Sequence, residues 1–395
     1  MNSNGITGRV SRLPGLSGSV RIQLLDSQGR DLTGPGHRHS VITAEDNTWT
    51  HGIHLYSYDN PKVHSRLYEI ANSVVPEVIM VTWSGSVKIK SETVWITSVH
   101  ELPKRAQGSR ELRVETVDLL WSMNRYHRTR PQKGAITEIL SKIAAAYGMK
   151  SACMSASAVA YVQSNETDYE FLTRRLRKRA LTPPPEHGDF RLNVRYSSTG
   201  APVLCFAPLR STDREFNWWA VNISDPNIIM HGDIEFVNQT PIRMAHGAAG
   251  VRTLVVDPYS TEYRDQYSFA AHAETATPES VLYSTQNEQN VSLSGKDTSG
   301  IRHYHTVTDT LQEDGPQGAL ALAVSTAECA RMGNYEAVFT ISSQPWFTPT
   351  DRVTLRAATP SASELDWFVT KCVTTISEGA CTTHVVMITD EPQAA

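Results

Sequence analysis

Strict alternation of apolar and polar residues dominates the chain and predicts many short β-strands. In residues 19–25, for example, Val20, Ile22 and Leu24 fall on one face. Further strands are predicted at residues 78–83, 87–90, 93–99, 111–117, 190–196, 203–207, 234–237, 335–341, 352–357, 367–373 and 381–388. Such strands are typical of antiparallel sheets with one face in water, so the sequence predicts a mainly β fold.

Four segments follow helical spacing instead. They are residues 62–74 after Pro61, residues 136–147 before Gly148, a segment beginning near Thr167, and residues 319–332 before Gly333. The first carries an apolar stripe of Val63, Leu67, Ile70, Ala71 and Val74. In the third, Thr167 and Glu170 have the spacing of a capping box, and the prolines of residues 182–185 are predicted to end the helix.

The two ends of the chain resemble each other weakly. A helix, several strands and a final aspartate follow in the same order in residues 62–118 and 319–390. The alignment pairs residues 78–83 with 336–341, 87–90 with 353–356, and 95–97 with 368–370. The alternative is that antiparallel strands look alike wherever they occur. The repeat predicts an α+β, mainly β fold with two related antiparallel β-barrel domains, separated by a helical segment and a small mixed α/β domain.

Length and composition agree with several globular domains. The chain has 395 residues, of which 40% are hydrophobic and 20% charged. The expected domains are residues 1–128 (first barrel), 129–186 (helical segment), 187–240 (small mixed domain) and 241–395 (second barrel), with a polar, loop-like insertion at about 272–300. A net charge of −4 argues against a generally basic nucleic-acid coat. With no signal peptide or membrane span apparent, we expect a soluble protein in the cytoplasm.

Candidate chemistry is sparse. The histidine pairs His37/His39, His51/His54 and His303/His305 have a spacing that suits a metal, but they lie in polar, loop-like sequence without an obvious third ligand. Three copies meeting on an axis would be one way to complete such a site. Residues 100–104 lack the second histidine of a zinc-protease helix, and residues 15–19 and 295–297 are imperfect nucleophile-elbow and phosphate-loop motifs. The sequence therefore predicts no catalytic, cofactor or metal residue and no enzyme, although a glycosidase carboxylate pair has no local signature to test.

Three other features have more than one interpretation. The basic run Arg174–Arg179 fits a solvated helix end that matches the helix dipole, a contact with an acidic subunit, or nucleic-acid binding. Trp218 and Trp219 fit core packing or a sugar-stacking platform. The five cysteines, Cys153, Cys205, Cys329, Cys372 and Cys381, lack CxxC spacing and are expected to be free thiols, because a reducing compartment opposes a bond between Cys372 and Cys381.

The most informative stretch is residues 163–176, Gln-Ser-Asn-Glu-Thr-Asp-Tyr-Glu-Phe-Leu-Thr-Arg-Arg-Leu. It resembles a helix of the central hub proteins of phage baseplates, the late control protein D family, and of the hub part of type VI secretion spike proteins. Residues 136–148, 238–241, 254–259 and 367–387 are similar to weaker features of that family. The sequence departs from the family pattern after Arg179, where the usual glycine is absent, and in the long polar stretch 272–300.

The resemblance implies a structural protein of a contractile tail baseplate. Such hubs are homotrimers in which two barrels per subunit form a pseudo-sixfold ring. The ring joins a hexameric tail tube to a trimeric central spike and contacts other baseplate proteins, and the genome passes through its channel without specific binding. The implied location is the virion tail, assembled in the host cytoplasm. The alternatives are a tail-associated cell-wall hydrolase and a carbohydrate-binding adhesion module.

Overall fold

The computed structural model describes residues 10–11, 19–58, 62–103, 110–153, 155, 158–177, 190–197, 200–208, 218–230, 235–236, 248–255, 267–272, 280–284, 303–309, 335–342, 347–356, 365–377 and 380–389. Strands greatly outnumber helices in this part of the chain, and most pair in antiparallel fashion. The predicted fold class, α+β and mainly β, is therefore confirmed. The predicted helix at 319–332 and the proline-rich residues 182–185 lie outside the described residues.

The strands follow one another along the whole chain. They are β1 Val10–Ser11, β2 Val20–Leu25, β3 His37–Glu45, β4 His51–Tyr58, β5 Glu77–Ser84, β6 Val87–Leu102, β7 Arg110–Val117, β8 His127–Ala135, β9 Lys150–Cys153, β10 Ala158–Thr167, β11 Phe190–Tyr196, β12 Pro202–Pro208, β13 Trp218–Asn222, β14 Ile228–Met230, β15 Glu235–Phe236, β16 Ala248–Val255, β17 Tyr267–His272, β18 Ser280–Ser284, β19 His303–Asp309, β20 Tyr335–Ser342, β21 Arg352–Arg356, β22 Trp367–Ser377 and β23 Ala380–Thr389.

In the described part of the chain the helices are few and short. They are α1 Lys62–Ala71, α2 Leu119–Ser122, α3 Ile136–Ala146 and α4 Asp168–Glu170, which continues as the π-helix Phe171–Leu176. α3 ends where predicted, because Gly148 takes a φ of +71° that other residues rarely adopt. α1 ends earlier than predicted, and Val74 is 80% exposed instead of continuing the apolar stripe.

A 14-stranded sheet forms the framework of the molecule. Its main path runs β1-β13-β21-β22-β3-β4-β7-β6-β5-β2, and β23, β20, β14 and β15 branch from β22. Three smaller sheets accompany it: the ribbon β8–β10, the sheet β11-β12-β9, and the sheet β18-β17-β16-β19. The last of these lies in the chain between β15 and β20, so it is an insertion within the strands of the large sheet. Residues 280–284, predicted as part of a loop, form β18 within it and pair antiparallel with β17.

Among the described residues, three large hydrophobic cores pack the helices and strands together. The first lies among β2 to β7 and α1, around Tyr56 and Leu67, and it also takes in Ile376 from β22. The second lies among β20 to β23 and β13, around Phe339 and Trp367. The third joins α2, α3 and the π-helix to β11 and β12. Because Ile376 of β22 belongs to the first core whereas Trp367, Val369 and Cys372 of the same strand belong to the second, the two ends of the chain are packed together.

The strand order contains a repeat of five positions. β3-β4-β7-β6-β5 lie side by side with every pair antiparallel, and β14/β15-β20-β23-β22-β21 lie side by side in the same chain order, again antiparallel. We call these sets the first repeat and the second repeat. The likeness ends at the outer neighbours, because β2 is antiparallel to β5 whereas β13 is parallel to β21.

A β-bulge at the same place fixes the alignment of the two repeats. The ladder between β6 and β7 skips Thr97, and the ladder between β22 and β23 skips Thr370. Each threonine hydroxyl donates a 3.3 Å hydrogen bond to a carbonyl of the facing strand, Thr97 to Glu115 and Thr370 to Val386. Thr97 and Thr370 are therefore equivalent positions of one supersecondary unit.

This alignment confirms one part of the predicted repeat and corrects another. The predicted match of residues 95–97 with 368–370 is right to the residue. The match of 78–83 with 336–341 is wrong, because β5 is equivalent to β21 and the counterpart of β20 is β4. The error arose because β4 was not recognised from the sequence, so the alternating pattern of β5 was assigned to the wrong strand.

Candidate assembly interface

The two repeats are joined edge to edge. β22 runs beyond β21 and pairs along β3, so that the two repeats share one continuous sheet. The amide of Asp46 donates to the carbonyl of Thr370 at 2.9 Å at one end of this ladder. Beside it, Lys371 Nζ lies 3.0 Å from a Glu45 carboxylate oxygen. We call the β3–β22 ladder the junction.

β22 pairs with β23 along one edge, and with β21 and then β3 along the other. Beside β6, no described strand takes the place of β3. One edge of β6 pairs with β7, and residues 87–95 of the other edge pair with β5. Past the bulge at Thr97, this second edge pairs with no other strand in the described part of the chain. Residues 98–102 are therefore an open edge at the position where β22 receives β3.

A second open edge lies at the other end of the continuous sheet. β14 and β15 both pair with β20 on one side, and no described strand pairs with their other side. They take the position in the second repeat that β3 takes in the first. Ile229 of β14 is 57% exposed. An aliphatic side chain on an unpaired strand is a typical docking surface for another chain.

A polar network fills the interior beside the junction. His54 is fully buried, with Nδ1 2.8 Å from Ser40 Oγ and Nε2 2.9 Å from Thr116 Oγ1. His37 Nε2 lies 2.8 Å from the same Ser40 hydroxyl. Burial lowers the pKa of His54 to about 3 and that of His37 to about 4, with nearby histidines adding to both effects. Both rings are thus neutral hydrogen-bonding groups inside the first repeat.

The structure corrects the loop-like surroundings that the sequence predicted for the three histidine pairs. They lie on strands β3, β4 and β19 and not in loops. His54 points into the core, whereas His51 approaches Glu115 at 4.0 Å, and no group of three metal-ligating side chains occurs among the described residues. Gly52 makes room for the buried ring, since a Cβ at this position would lie 2.6 Å from His54 Nε2. That glycine between alternating residues was the sequence signal that could have revealed β4.

The segment 163–176 is organised around one buried carboxylate. Asp168 is fully buried and accepts hydrogen bonds from Arg130 at 2.5 Å, Gln163 at 2.9 Å and Tyr147 at 2.9 Å. Burial raises the pKa of Tyr147 to about 12, and the Asp168 charge adds to this. The carboxylate thereby ties α3, β8, β10 and α4 together.

The start of this helix is capped as the sequence predicted. The hydroxyl of Thr167 accepts from the Glu170 amide at 3.1 Å, and the Glu170 carboxylate accepts from the Thr167 amide at 3.0 Å. Tyr169 Oη then donates to the Asn47 carbonyl at 2.5 Å, and the Leu192 amide donates to the Asn47 side chain at 2.9 Å. The motif helix is thus anchored to the β3–β4 turn, which sits beside the junction.

The first arginines of the basic run are paired with carboxylates. Arg175 lies 2.9 Å from Glu166, and Arg174 lies 3.8 Å from Glu170. These contacts favour the solvated, dipole-matched interpretation for the first members of the run. Lys178 and Arg179 lie outside the described residues.

Trp219 packs in the second core rather than forming a sugar platform. It is 7% exposed, and its indole N–H donates to Asp351 at 2.9 Å. Arg195 lies 3.0 Å from the same fully buried carboxylate, which links β11 to the second repeat. The carbohydrate-binding alternative therefore loses this half of the predicted Trp218–Trp219 platform.

A cavity of about 330 Å³ lies between the two repeats and β11. Lys90, Glu92 and Asp118 are among the charged groups that line it, and Lys90 lies 2.7 Å from Glu92. Burial raises the pKa of Asp118 to about 7, although the amides of Thr50 and Leu120 both donate to its carboxylate. Asp118 also caps α2, so its place in the fold is structural.

The remaining candidates fall in places without catalytic geometry. His100 and the two residues after it continue β6, so residues 100–104 do not form a zinc-protease helix. The thiols of Cys153, Cys205, Cys372 and Cys381 are free, and burial raises the pKa of Cys372 to about 12. Cys329 and residues 295–297 lie outside the described residues. Within the described residues, every helix is too short or too polar to cross a bilayer.

Known proteins resemble this chain in structure but not in sequence. The sequence matches no protein-family profile. No curated protein matches it either. The fold is similar to that of the tail protein from Neisseria meningitidis MC58, with a TM-score of 0.55 and 12% identity over 94% of this chain and 97% of that one. The 43 kDa tail protein of prophage MuSo2 from Shewanella oneidensis has a TM-score of 0.51, with the same identity and coverage.

A third likeness is to the Francisella PdpA–VgrG complex in its lidded form. Its TM-score is 0.50 at 9% identity, over 95% of this chain and 53% of that one. At these identities the likeness establishes the fold. The chain therefore has the architecture found in phage tail proteins and in VgrG, as residues 163–176 led us to expect.

Proposed function

We propose that this protein is the structural hub subunit of a contractile phage-type tail. In this proposal three copies form a ring of six repeats, which joins a hexameric tail tube on one side to a trimeric spike on the other. The protein acts by matching two symmetries and by carrying the spike, and it catalyses no reaction. It belongs in the virion baseplate and is assembled in the host cytoplasm.

One observation carries the proposal: each chain holds two equivalent five-position repeats joined edge to edge, and its described residues leave two unlike strand edges unpaired. A chain of this kind can add to further copies head to tail, and such contacts close into a ring when the rotation at each step allows it. Three chains supply six repeats. A threefold assembly then presents six nearly equivalent surfaces to a sixfold partner.

The similar proteins support the same assignment. Two of them are phage tail proteins, and the third is a complex that contains VgrG. The partners that we propose are further copies of this chain, a tail tube protein, a central spike protein and other baseplate proteins. The genome would pass through the channel without specific contacts.

The test is the size and symmetry of the purified chain. We expect a mass near three times 43.8 kDa by light scattering, and class averages with six lobes around a central channel. Tube and spike proteins of the same tail should bind opposite faces of this ring. A monomer that binds neither protein contradicts the proposal. Clearing of peptidoglycan by the chain alone would favour the cell-wall hydrolase instead.

A further inference from the structure

We propose that β6 of one copy pairs edge to edge with β14 and β15 of the next copy, in the register that β22 makes with β3 inside each chain. This inference rests on the proposed function, because it requires several copies in one ring. It goes further by naming the two edges, their direction and the residues that face each other. The junction within the chain is the template.

The equivalence of the repeats leads directly to these edges. Residues 98–102 of β6 occupy the place in the first repeat that residues 371–375 of β22 occupy in the second. β14 and β15 occupy the place of β3. The junction uses the edge of β22 and the edge of β3. Each chain therefore keeps the equivalent edges, those of β6 and of β14 and β15, open among its described residues. Two such open edges from neighbouring copies complete the same contact again.

Because the two open edges differ, the copies must join head to tail. A twofold dimer would bring identical surfaces together, whereas here a β6 edge must meet a β14–β15 edge. Because the contact between chains repeats the contact within a chain, the rotation at every step is nearly the same. Three chains then give six similar junctions, three within chains and three between them, in one continuous sheet.

The ladders determine which residues are equivalent. The bulge makes Trp95 equivalent to Phe368, so their partners on the facing strands, Val117 and Ile388, are equivalent as well. Val117 pairs with His51 of β4, and Ile388 pairs with Glu336 of β20. The alignment of β4 with β20 follows, and burial agrees with it. On this alignment the fully buried His54 matches the fully buried Phe339.

The register across the new interface then follows from the junction. In the first repeat His51 pairs with Thr43, and in the second Glu336 pairs with Glu235, so Thr43 and Glu235 are equivalent. Thr43 faces Val373 across the junction, and His100 is the equivalent of Val373. His100 of one copy therefore faces Glu235 of the next. By the same count Val99 faces Phe236.

The free peptide groups have the direction that this pairing needs. Across the junction the Asp46 amide bonds to Thr370, so the hydrogen-bonded positions of β22 that follow the bulge are Cys372 and Thr374. Their equivalents in β6 are Val99 and Glu101. The peptide N–H of Glu101 therefore points to the open edge and away from β7.

The first experiment blocks the open edge with proline. Glu101→Pro removes the outward N–H without removing a bond to β7. We therefore expect the variant to fold but to have the mass of a monomer, not of a trimer, by light scattering. Glu101→Ala removes the same side chain and keeps the N–H, so it should remain trimeric. Circular dichroism and the melting temperature check that both variants are folded. A folded Glu101→Pro protein that stays trimeric overturns the pairing.

The second experiment measures the register by cross-linking. His100 and Glu235 are predicted to be a non-hydrogen-bonded pair, whose Cβ atoms lie about 4.5–5.5 Å apart and suit a disulfide. His100→Cys combined with Glu235→Cys should therefore give covalent dimers and trimers under oxidation. Ser98→Cys with Glu235→Cys is two residues out of register on the same face and should remain largely uncross-linked, as should each single variant. Equal cross-linking of both pairs, or of neither, overturns the register.

The failures of the two proposals are distinguishable. A monomeric wild-type protein removes the ring, and with it both proposals. A trimeric wild-type protein whose trimer survives Glu101→Pro and shows no His100–Glu235 cross-link retains the hub function. In that outcome the copies meet through other surfaces, and the edge pairing alone is wrong.

Discussion

His54 is a neutral base in the centre of the first core. Its two ring nitrogens are satisfied by the hydroxyls of Ser40 and Thr116, so the ring adds no unpaired polar group to the interior. A proton on this ring would have to be buried without a carboxylate beside it, which explains the pKa of about 3. The first repeat is therefore built to hold an uncharged histidine.

The stability of the protein should consequently fall in acid. The unfolded chain binds a proton at this histidine near pH 6.5, whereas the folded chain does not until about pH 3. The contribution is thus constant above pH 6.5 and is lost as the pH falls toward 3. At pH 4.5 the loss from His54 alone is about 2–3 kcal/mol. Urea unfolding at pH 7.5 and 4.5 measures it.

His54→Gln provides the comparison, because an amide keeps hydrogen bonds and does not titrate. We expect this variant to be less stable at neutral pH but to lose less stability on going to pH 4.5. Parallel pH dependences for His54→Gln and the wild type would contradict the role assigned to His54.

Single residues differ in how far their roles were predictable. The capping box of Thr167 and Glu170 was predicted because it depends only on spacing along the chain. The partners of Asp168 were not, since Arg130 and Tyr147 approach it from other elements. The burial of His54 was missed for a similar reason, because its partners Ser40 and Thr116 lie on other strands.

At the scale of elements, the bulges of β6 and β22 show how one unit was used twice. Each bulge turns the strand after it away from its first neighbour, so that a second strand can dock on the same edge. Thr97 and Thr370 sit at the two bulges and make the same hydrogen bond at the same length. The segment of β22 after its bulge forms the junction, and the segment of β6 after its bulge is the open edge.

Removing either bulge hydroxyl should have a similar cost. We expect Thr97→Val and Thr370→Val each to lower the free energy of unfolding by about 0.5–1.5 kcal/mol, the usual worth of one hydrogen bond. Thr375→Val is the matched control on β22 and should change stability by less than about 0.5 kcal/mol. Chemical denaturation measures all three. Clearly unequal costs at Thr97 and Thr370 would argue against their equivalence.

Strands with simple alternation were predicted well, and those with polar interiors were not. β2, β11 and β23 have the apolar side chains inside and were located within a residue or two. β3 and β4 carry histidine, serine and glycine toward the core and were assigned to loops. The repeat was consequently detected but aligned incorrectly at its first strands, because the partner of β20 was missing.

At the scale of the whole molecule, the ring would contain the same contact three times between chains. A cross-strand pair of side chains contributes about 0.2–1 kcal/mol, which is small for one contact. In a closed trimer the His100–Glu235 contact occurs three times, so a small change in one pair becomes a large change in trimer stability. Neither the edges nor their register was predictable from the sequence, because both depend on how β22 meets β3.

Substitutions that exchange the charges at positions 100 and 235 test this interface, because each one acts at three contacts in the ring. Glu235→Arg should place a cation against His100 and shift the trimer toward monomer by about 1–3 kcal/mol per ring, a factor of about 5 to 150 in the dissociation constant. His100→Glu should weaken the trimer similarly, by opposing Glu235 with a second carboxylate. The double variant sets a carboxylate against a cation and should recover much of the lost affinity by sedimentation equilibrium. Additive losses in the double variant would instead place these two residues at separate sites on the ring.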